Sequence, residues 1–349
     1  MLFLCTVKCS VKTKGDVVKT PRLCVLMPAY KATYLHDAFI GLGSQSFKGF
    51  DVVVSDDSPN GEVSSRLDEI RSLGMLDGLS VSLINGPRIN SRLNHMSLDR
   101  GYSCFYDFVH FHHDDDYVYP TFYEDHLRAH EAGDFSVSVS QRWIADKSNR
   151  PIGKPVNVSF HGDNRMLVPL SLETLAKSCL PDAVNWLGEL TNAVFKPKGK
   201  LIFPNPPTSA SSINYFGLLD IGSFFESAGE SNIVYIRNWL SNWRSHPAQS
   251  THQVASHGIR LAVSCWCAYA INAHNSGLIS DSELRSAIER QRSFFLRRIS
   301  ADNFFETPMS ILKDVYQIEQ VKNRYLDWWL SVLETDRQYI AQYFAESGN

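Results

Sequence analysis

Apolar and polar positions in the first third of the chain switch between two periods. The run LCVLM at 23–27 is continuously apolar and stops at Pro28, the pattern of a strand covered on both faces. Residues 34–44 then place Leu35, Ala38, Phe39 and Leu42 at helical spacing. A second strand is expected at 50–55 and a helix at 63–73 with Leu67 and Ile70 on one face. An alternating strand at 79–84, a helix at 93–105 and a fourth strand at 108–112 follow. Strands that trade places with helices predict an α/β fold with a mostly parallel sheet flanked by helices. Ligands of such sheets bind beyond the carboxyl ends of the strands, and Pro28 to Tyr30, Asp56-Asp57 and Asp114-Asp115 fall at those ends.

The pattern changes in the second half. Residues 137–144 read as another strand, 186–195 are mixed, and 234–236 form a short strand. From about 254 onward the period is helical. Leu261, Ser264, Cys265 and Ala268 share a face, 284–295 is charged and amphipathic, and 311–343 is long and rich in Trp, Tyr and Leu. Those aromatics are read as helix packing rather than as a ligand box. PNPP at 204–207 followed by TSASS marks a loop. Residues 1–20 show no clear period and read as a loosely attached extension or an edge strand.

With 349 residues, 44% of them hydrophobic, the chain can bury one large core or two smaller ones. A net charge of −3 offers no basic field for nucleic acid. Seven cysteines lack zinc-ribbon spacing, and Cys265 and Cys267 lie too close for the usual metal pair, so reduced thiols in the cytoplasm are expected. No apolar run is long enough for a spanning helix, and residues 1–5 are too few for a signal peptide.

The most informative stretch is HFHHDDDYVYP at 110–120, where an apolar approach (Tyr106, Phe108, Val109, Phe111) runs into Asp114, Asp115 and Asp116. Three adjacent carboxylates repel each other and lose solvation when partly buried, a cost that a divalent cation relieves. Hard cations such as Mg²⁺ or Mn²⁺ take few protein oxygens and share their shell with phosphates, which suggests a metal–diphosphate site. A solvated acidic turn is the plain alternative. Alternation also puts His110 and His112 on one side with Asp114, a donor set that suits zinc; ring hydrogen bonds inside a buried strand are the preferred account of both.

RLCVLMPAY at 22–30, GSQSF at 43–47 and FDVVVSDDS at 50–58 together resemble the opening of the family-two inverting glycosyltransferases of bacterial polysaccharide biosynthesis. HDDD at 113–116, three residues before Pro120, is similar to that family's Asp-x-Asp-Asp metal motif, with His113 where the first acid stands. NWLGELTNAVF at 185–195 resembles its acceptor-side segment, LDIGSFF at 219–225 its catalytic-base region, and the stretch at 235–251 its closing strand and Arg-x-His-Pro. The resemblance implies a GT-A-like domain over 21–251, after an extension at 1–20 and before an α-helical C-terminal region at 252–349.

That resemblance implies transfer of a sugar, with inversion, from a nucleotide-diphospho-sugar donor to a glycan or lipid-linked glycan acceptor of the cell envelope. On that resemblance Tyr30 is expected to stack on the base, with backbone near Pro28 lining the same edge, and Asp57 to accept from base or ribose. Asp114 is expected to face the ribose, and Arg88, Arg92 and Arg244 to lie toward the diphosphate. Asp115 and Asp116, approached by His246, are the expected ligands of Mg²⁺ or Mn²⁺. Asp220 is the expected general base, with Glu189 as its rival. Each has a plainer alternative: a turn acid for Asp57, a helix N-terminal acid for Asp220, a turn histidine for His246, solvated arginines at Arg88 and Arg92. Competing functions are a metal-dependent hydrolase built on the 110–116 cluster and a non-catalytic nucleotide- or glycan-binding module. Arg285, Arg290, Arg292, Arg297 and Arg298 with Phe294, Phe295 and Leu296 suggest peripheral contact with the inner face of a membrane. A dimer interface or a lid on the transferase domain is the preferred reading of those helices.

Overall fold

The computed structural model describes residues 22–155, 165–246, 256–313 and 317–346; the extension at 1–20 and the end of the closing stretch after His246 lie outside them. One sheet is built from β1 Leu23–Ala29, β2 Phe50–Asp56, β3 Ser80–Asn85, β4 Phe108–Phe111, β5 Tyr117–Val118, β6 Val137–Ala145, β7 Pro151–Gly153, β8 Leu167–Leu170, β9 Ala193–Phe195 and β10 Ile233–Arg244. Its order is β3-β2-β1-β4-β9-β6-β10-β5. The first four in that order run parallel, β9 is antiparallel between β4 and β6, and β6 and β10 are parallel. The expected α/β class and mostly parallel sheet are therefore present.

Alternation along β1 divides its side chains between two cores. Leu23, Val25, Met27 and Ala29 pack with Phe39 of α1 (Leu35–Gly43), Leu67 of α2 (Glu62–Ser72) and Phe122 of α4 (Phe122–Glu131). Cys24 and Leu26 pack on the other face with Met96 of α3 (Ser91–Tyr102) and Phe224 of α6 (Leu219–Glu230). Both faces are covered, as a continuous apolar run requires.

Three boundaries differ from the pattern. Helix α3 starts earlier because the Asn90 side chain caps it by accepting from the Leu93 N–H, and it gives way to a short 3₁₀ turn at Ser103–Phe105. Strand β10 is far longer than 234–236. Its polar second half hides the strand, yet Asn242 is buried because its side chain bonds Tyr119 Oη at 2.8 Å and Asn149 Oδ1 at 2.8 Å. The long segment expected at 311–343 is split between α9 Glu306–Ile311 and α10 Ile318–Glu346.

The helical end joins the sheet's own core. Tyr269 of α7 (His257–Asn275), Leu284 of α8 (Asp281–Leu296) and Trp329 of α10 belong to the same cluster as β4 and β6. Tyr325 Oη donates to the Ser264 carbonyl at 2.8 Å, across α10 and α7. Cys265 and Cys267 are buried there, and the described cysteines are all free. No helix among the described residues is long and apolar enough to cross a membrane. On α8 the guanidiniums of Arg290 and Arg297 sit 5.1 and 5.0 Å from the Phe294 ring centroid, while Leu296 is exposed and Phe295 is buried.

Candidate active site

The carboxyl ends of β1, β2 and β4 are tied together by acids. Asp114, just past β4, accepts the backbone N–H groups of Tyr30 and Lys31 on one oxygen, both at 2.7 Å, which fixes the chain leaving β1. Asp57 donates its N–H to the Ala29 carbonyl at 2.8 Å and accepts the Arg88 N–H on Oδ1. Arg88 adopts φ 55°, a left-handed conformation unusual outside glycine, and so presents that N–H. Gly86 lies against the same carboxylate: a Cβ there would sit 2.8 Å from Asp57 Oδ1. Burial raises the Asp57 pKa, against the opposing effect of Arg88. Its neighbour Asp56 has a structural task, accepting the N–H groups of Ser58 and Ser64 at 2.9 Å and so fastening the start of α2. Pro28 is buried within β1, whereas Tyr30, at its tip, is 54% exposed.

After β4 the chain turns through His113–Asp116, with the Asp116 N–H directed at the His113 carbonyl at 3.4 Å. A four-residue turn of this kind brings its first and last side chains together. His113 Nδ1 lies 3.6 Å from Asp116 Oδ2, and ligand atoms of His113, Asp115 and Asp116 all fall within 4.8 Å of one another. Asp116 is 1% exposed, and its Oδ2 has no hydrogen-bond partner. Burial alone would lower the His113 pKa, but Asp116, Asp115 and Asp114 together raise it to about 9. Burial and the neighbouring Asp115 charge push Asp114 and Asp116 upward. His246 belongs beside this turn: its Nε2 is 2.9 Å from Asp115 Oδ2, and its ring packs on Tyr34 at 5.1 Å.

The arginines divide sharply. The Arg244 guanidinium is buried and bonds the Asp115 carbonyl at 2.6 Å, the Lys147 carbonyl at 2.8 Å and Asp37 Oδ2 at 2.9 Å, over the Tyr34 ring. Its backbone N–H donates to Asp116 Oδ1 at 3.0 Å. It thus braces the acidic turn from beneath. Arg92, expected near the diphosphate, instead lies over the Phe216 ring at 4.3 Å and donates to the Gly217 carbonyl. An aromatic face and a carbonyl hold it among the elements that lead into α6. The exposed Arg88 reaches the site through its backbone.

The zinc arrangement on His110, His112 and Asp114 is not assembled. His110 is buried, with Nδ1 3.0 Å from Tyr123 Oη and Nε2 2.9 Å from the Thr191 carbonyl, so both ring nitrogens are already engaged. His112 stacks on it at 5.3 Å, fully buried, and desolvation holds its pKa well below the ordinary value.

A second cluster follows through Thr191, whose Oγ1 accepts the His113 N–H at 3.2 Å. Two residues earlier, Glu189 is ion-paired with Arg142 of β6, with an additional bond from Nη2 to Oε1 at 3.2 Å. Asn185 links this segment to α6. Its amide donates to the Gly188 carbonyl at 2.7 Å and to Asp220 Oδ2 at 2.9 Å. Asp220 also accepts the Ile221 N–H on Oδ1 at 2.7 Å. Burial, with the nearby Glu189 charge, pushes the Asp220 pKa up to about 6 despite those donors. Gly188 makes the bend, at φ +117°, and an added Cβ would lie 2.4 Å from both Arg142 Nη1 and Asn192 Oδ1. Gly188→Ala should therefore displace Arg142 and destabilise the protein by about 2–4 kcal/mol, combining backbone strain with overpacking. A urea midpoint unchanged from wild type would contradict this.

The ligand set expected for Mg²⁺ or Mn²⁺, Asp115 and Asp116 with His246, leaves out His113, which stands at the place of the first acid and entered only with the histidines of the zinc arrangement. The turn spacing of His113 and Asp116 was the available signal.

No protein-family model matches the sequence, and no curated protein sequence matches it. Solved structures do. The crystal structure of S. aureus TarS residues 1–349 in complex with UDP matches with a TM-score of 0.52 and 15% identity, over 91% of this chain and 91% of that chain. The same S. aureus TarS fragment without a named ligand matches at 0.52 and 16%, again over 91% of each chain. S. aureus TarS matches at 0.51 and 15%, over 93% of this chain and 55% of that one. At such identities the likeness establishes a shared fold.

Proposed function

We propose that this chain, which has a GT-A-like fold, is an inverting glycosyltransferase that moves a sugar from a nucleotide-diphospho-sugar to a hydroxyl of a glycan or lipid-linked glycan. The observation that carries this is a run of contacts along the strand ends: the Asp57 N–H donates to the Ala29 carbonyl, Asp114 accepts the Tyr30 N–H, the His113 N–H donates to Thr191 Oγ1, and the charge of Glu189, two residues before Thr191, acts on Asp220. On this reading the donor-side acids and the Asp220 carboxylate border one site.

The exposed Tyr30 ring suits stacking on a nucleobase, and Asp57 beside it suits a polar edge of base or ribose. UDP is the nucleotide named with the S. aureus TarS crystal, so uridine diphosphate sugars are the first donors to try. Asp115 and Asp116 suit Mg²⁺ or Mn²⁺, since the partnerless Asp116 oxygen would gain a cation there. A bound divalent ion supplies charge for the diphosphate leaving group. His246 orients Asp115, and Arg244 holds the turn that carries both acids.

Asp220 takes the proton from the acceptor hydroxyl. That oxygen attacks the anomeric carbon opposite the diphosphate, the bond from the carbon to the diphosphate oxygen breaks, and the configuration inverts. Asp220 is preferred over Glu189 because the Glu189 carboxylate is occupied by the Arg142 guanidinium, whereas Asp220 has the raised pKa a base needs. The exposed Leu296 and the Arg290–Phe294–Arg297 group support an acceptor at a membrane surface.

Nucleotide release from a panel of UDP-, GDP- and ADP-sugars, with and without Mn²⁺ and glycan acceptors, tests the assignment. Release that depends on an acceptor is expected. Binding of UDP without turnover would favour a binding module, and hydrolysis that survives Asp220→Asn but dies in His112→Ala would favour a zinc hydrolase. The pH profile is a further check. Asp220 works as the anion, so kcat/KM should be level above about 6 and fall about tenfold per pH unit below it. A profile flat down to pH 5 contradicts the role.

A further inference from the structure

We propose that Arg92 and Tyr269 are positioning residues for Asp220, that they act by clamping the peptide unit between Gly217 and Leu218, and that the helical end of the chain thereby helps to set the base. The clamp rests on the transferase reading for what Asp220 does, and on geometry alone for how Asp220 is held.

This peptide unit lies directly before α6, whose first turn carries Asp220. A trans peptide points its carbonyl and its N–H in opposite directions. Here each end is taken by a different part of the chain. Arg92 of α3 donates to the Gly217 carbonyl, with its guanidinium 4.3 Å from the Phe216 ring centroid. Tyr269 of α7 accepts the Leu218 N–H on Oη at 3.0 Å. The first helical bond of α6 follows at once, from the Gly222 N–H to the Leu218 carbonyl at 3.1 Å. Turning the clamped peptide would break the bonds at both of its ends and disturb the start of the helix.

The fit against α7 leaves no slack. Gly217 adopts φ +154°, and a Cβ there would overlap Cys265 Cβ and lie 2.9 Å from Tyr269 Oη. Gly222, two residues after Asp220, repeats the pattern: its Cβ would overlap the Tyr215 carbonyl and lie 3.1 Å from the same hydroxyl. Asp220 thus stands between two glycines that admit one tyrosine Oη. That tyrosine is fully buried, its ring 5.4 Å from Tyr215 and 6.2 Å from Phe225, so the hydroxyl is itself held in place. The groups that face Asp220 are Asn185, Glu189 and Arg142, with Cys265 of α7 as a thiol pushed up to about 12 and so neutral. Burial is the largest influence on Asp220. Loosening the clamp admits water and should carry its pKa down from about 6 toward the ordinary carboxylate range.

The test uses the full chain with Tyr269→Phe and Arg92→Gln, one variant for each end of the peptide. Tyr325→Phe is the control, since it loses a buried hydroxyl bond between α10 and α7 and leaves the clamp intact. Both clamp variants should lower kcat about tenfold or more with UDP affinity unchanged, as misplacement of a reacting group does. Carbon-13 NMR of the Asp220 carboxyl, assigned by its loss in Asp220→Asn, follows its titration without any substrate. It should titrate about one pH unit lower in both variants, and the acid limb of kcat/KM should move with it. Tyr325→Phe should leave kcat and the titration as in wild type. A thermal melt accompanies each variant, and Arg92→Gln carries the test if Tyr269→Phe does not fold. Unchanged kcat and an unchanged Asp220 titration in the clamp variants would overturn the proposal. So would an equal effect in Tyr325→Phe, or a loss of UDP affinity in Arg92→Gln, which would return that arginine to the diphosphate. A lowered Asp220 titration in a protein that turns over no donor would sink the transferase reading and leave the clamp standing.

Discussion

Asp220→Asn should slow sugar transfer by about 10²–10⁴-fold while leaving UDP affinity unchanged, the range expected for loss of a general base. The substitution is nearly isosteric. Asp220 accepts from the Asn185 amide and from the Ile221 N–H, and an asparagine oxygen can keep one of these. The stability cost is then on the order of one hydrogen bond, about 1 kcal/mol. The rate loss has a separate origin, since an amide cannot take the acceptor's proton. Steady-state kinetics with saturating donor, together with calorimetric titration of UDP, separates the two effects. A near-normal rate would transfer the role to Glu189, and Glu189→Gln would then have to show the loss.

Asp115→Ala should abolish measurable transfer and remove the metal-dependent part of nucleotide binding. The protein should remain folded, because the Asp115 side chain is partly exposed, and the backbone carbonyl that Arg244 grips is unchanged. His246 loses its contact with Asp115 and stays beside Tyr34. The measurements are UDP binding with and without Mn²⁺ and a thermal melt. Turnover retained in the variant would remove Asp115 from the metal site.

The parallel part of the sheet was legible because its signals are local. LCVLM must be buried on both faces, and helices between the strands carry their apolar stripes in short windows. The strand-end acids were legible for the same reason, and Asp57 and Asp114 do meet at the tip of β1. What failed to show depends on distant partners. Nothing near Arg92 in the sequence announces Phe216, whose ring draws the guanidinium toward the helical end. The polar second half of β10 looks like a loop until Tyr119 and Asn149 arrive to satisfy Asn242. His110 and His112 offered a plausible zinc pair by alternation alone, and only Tyr123 and the Thr191 carbonyl reveal His110 as core.

The brace beneath the acidic turn comes from much later in the chain: Arg244 is 129 residues beyond the Asp115 carbonyl it holds. During synthesis the N-terminal strands emerge first and can begin to pair. The turn that carries the aspartates, already tied at Asp114 to Tyr30 and Lys31, gains its Arg244 bonds only once β10 has left the ribosome and lies alongside β6. The acidic turn is therefore finished late, by a guanidinium made long after the strands it follows.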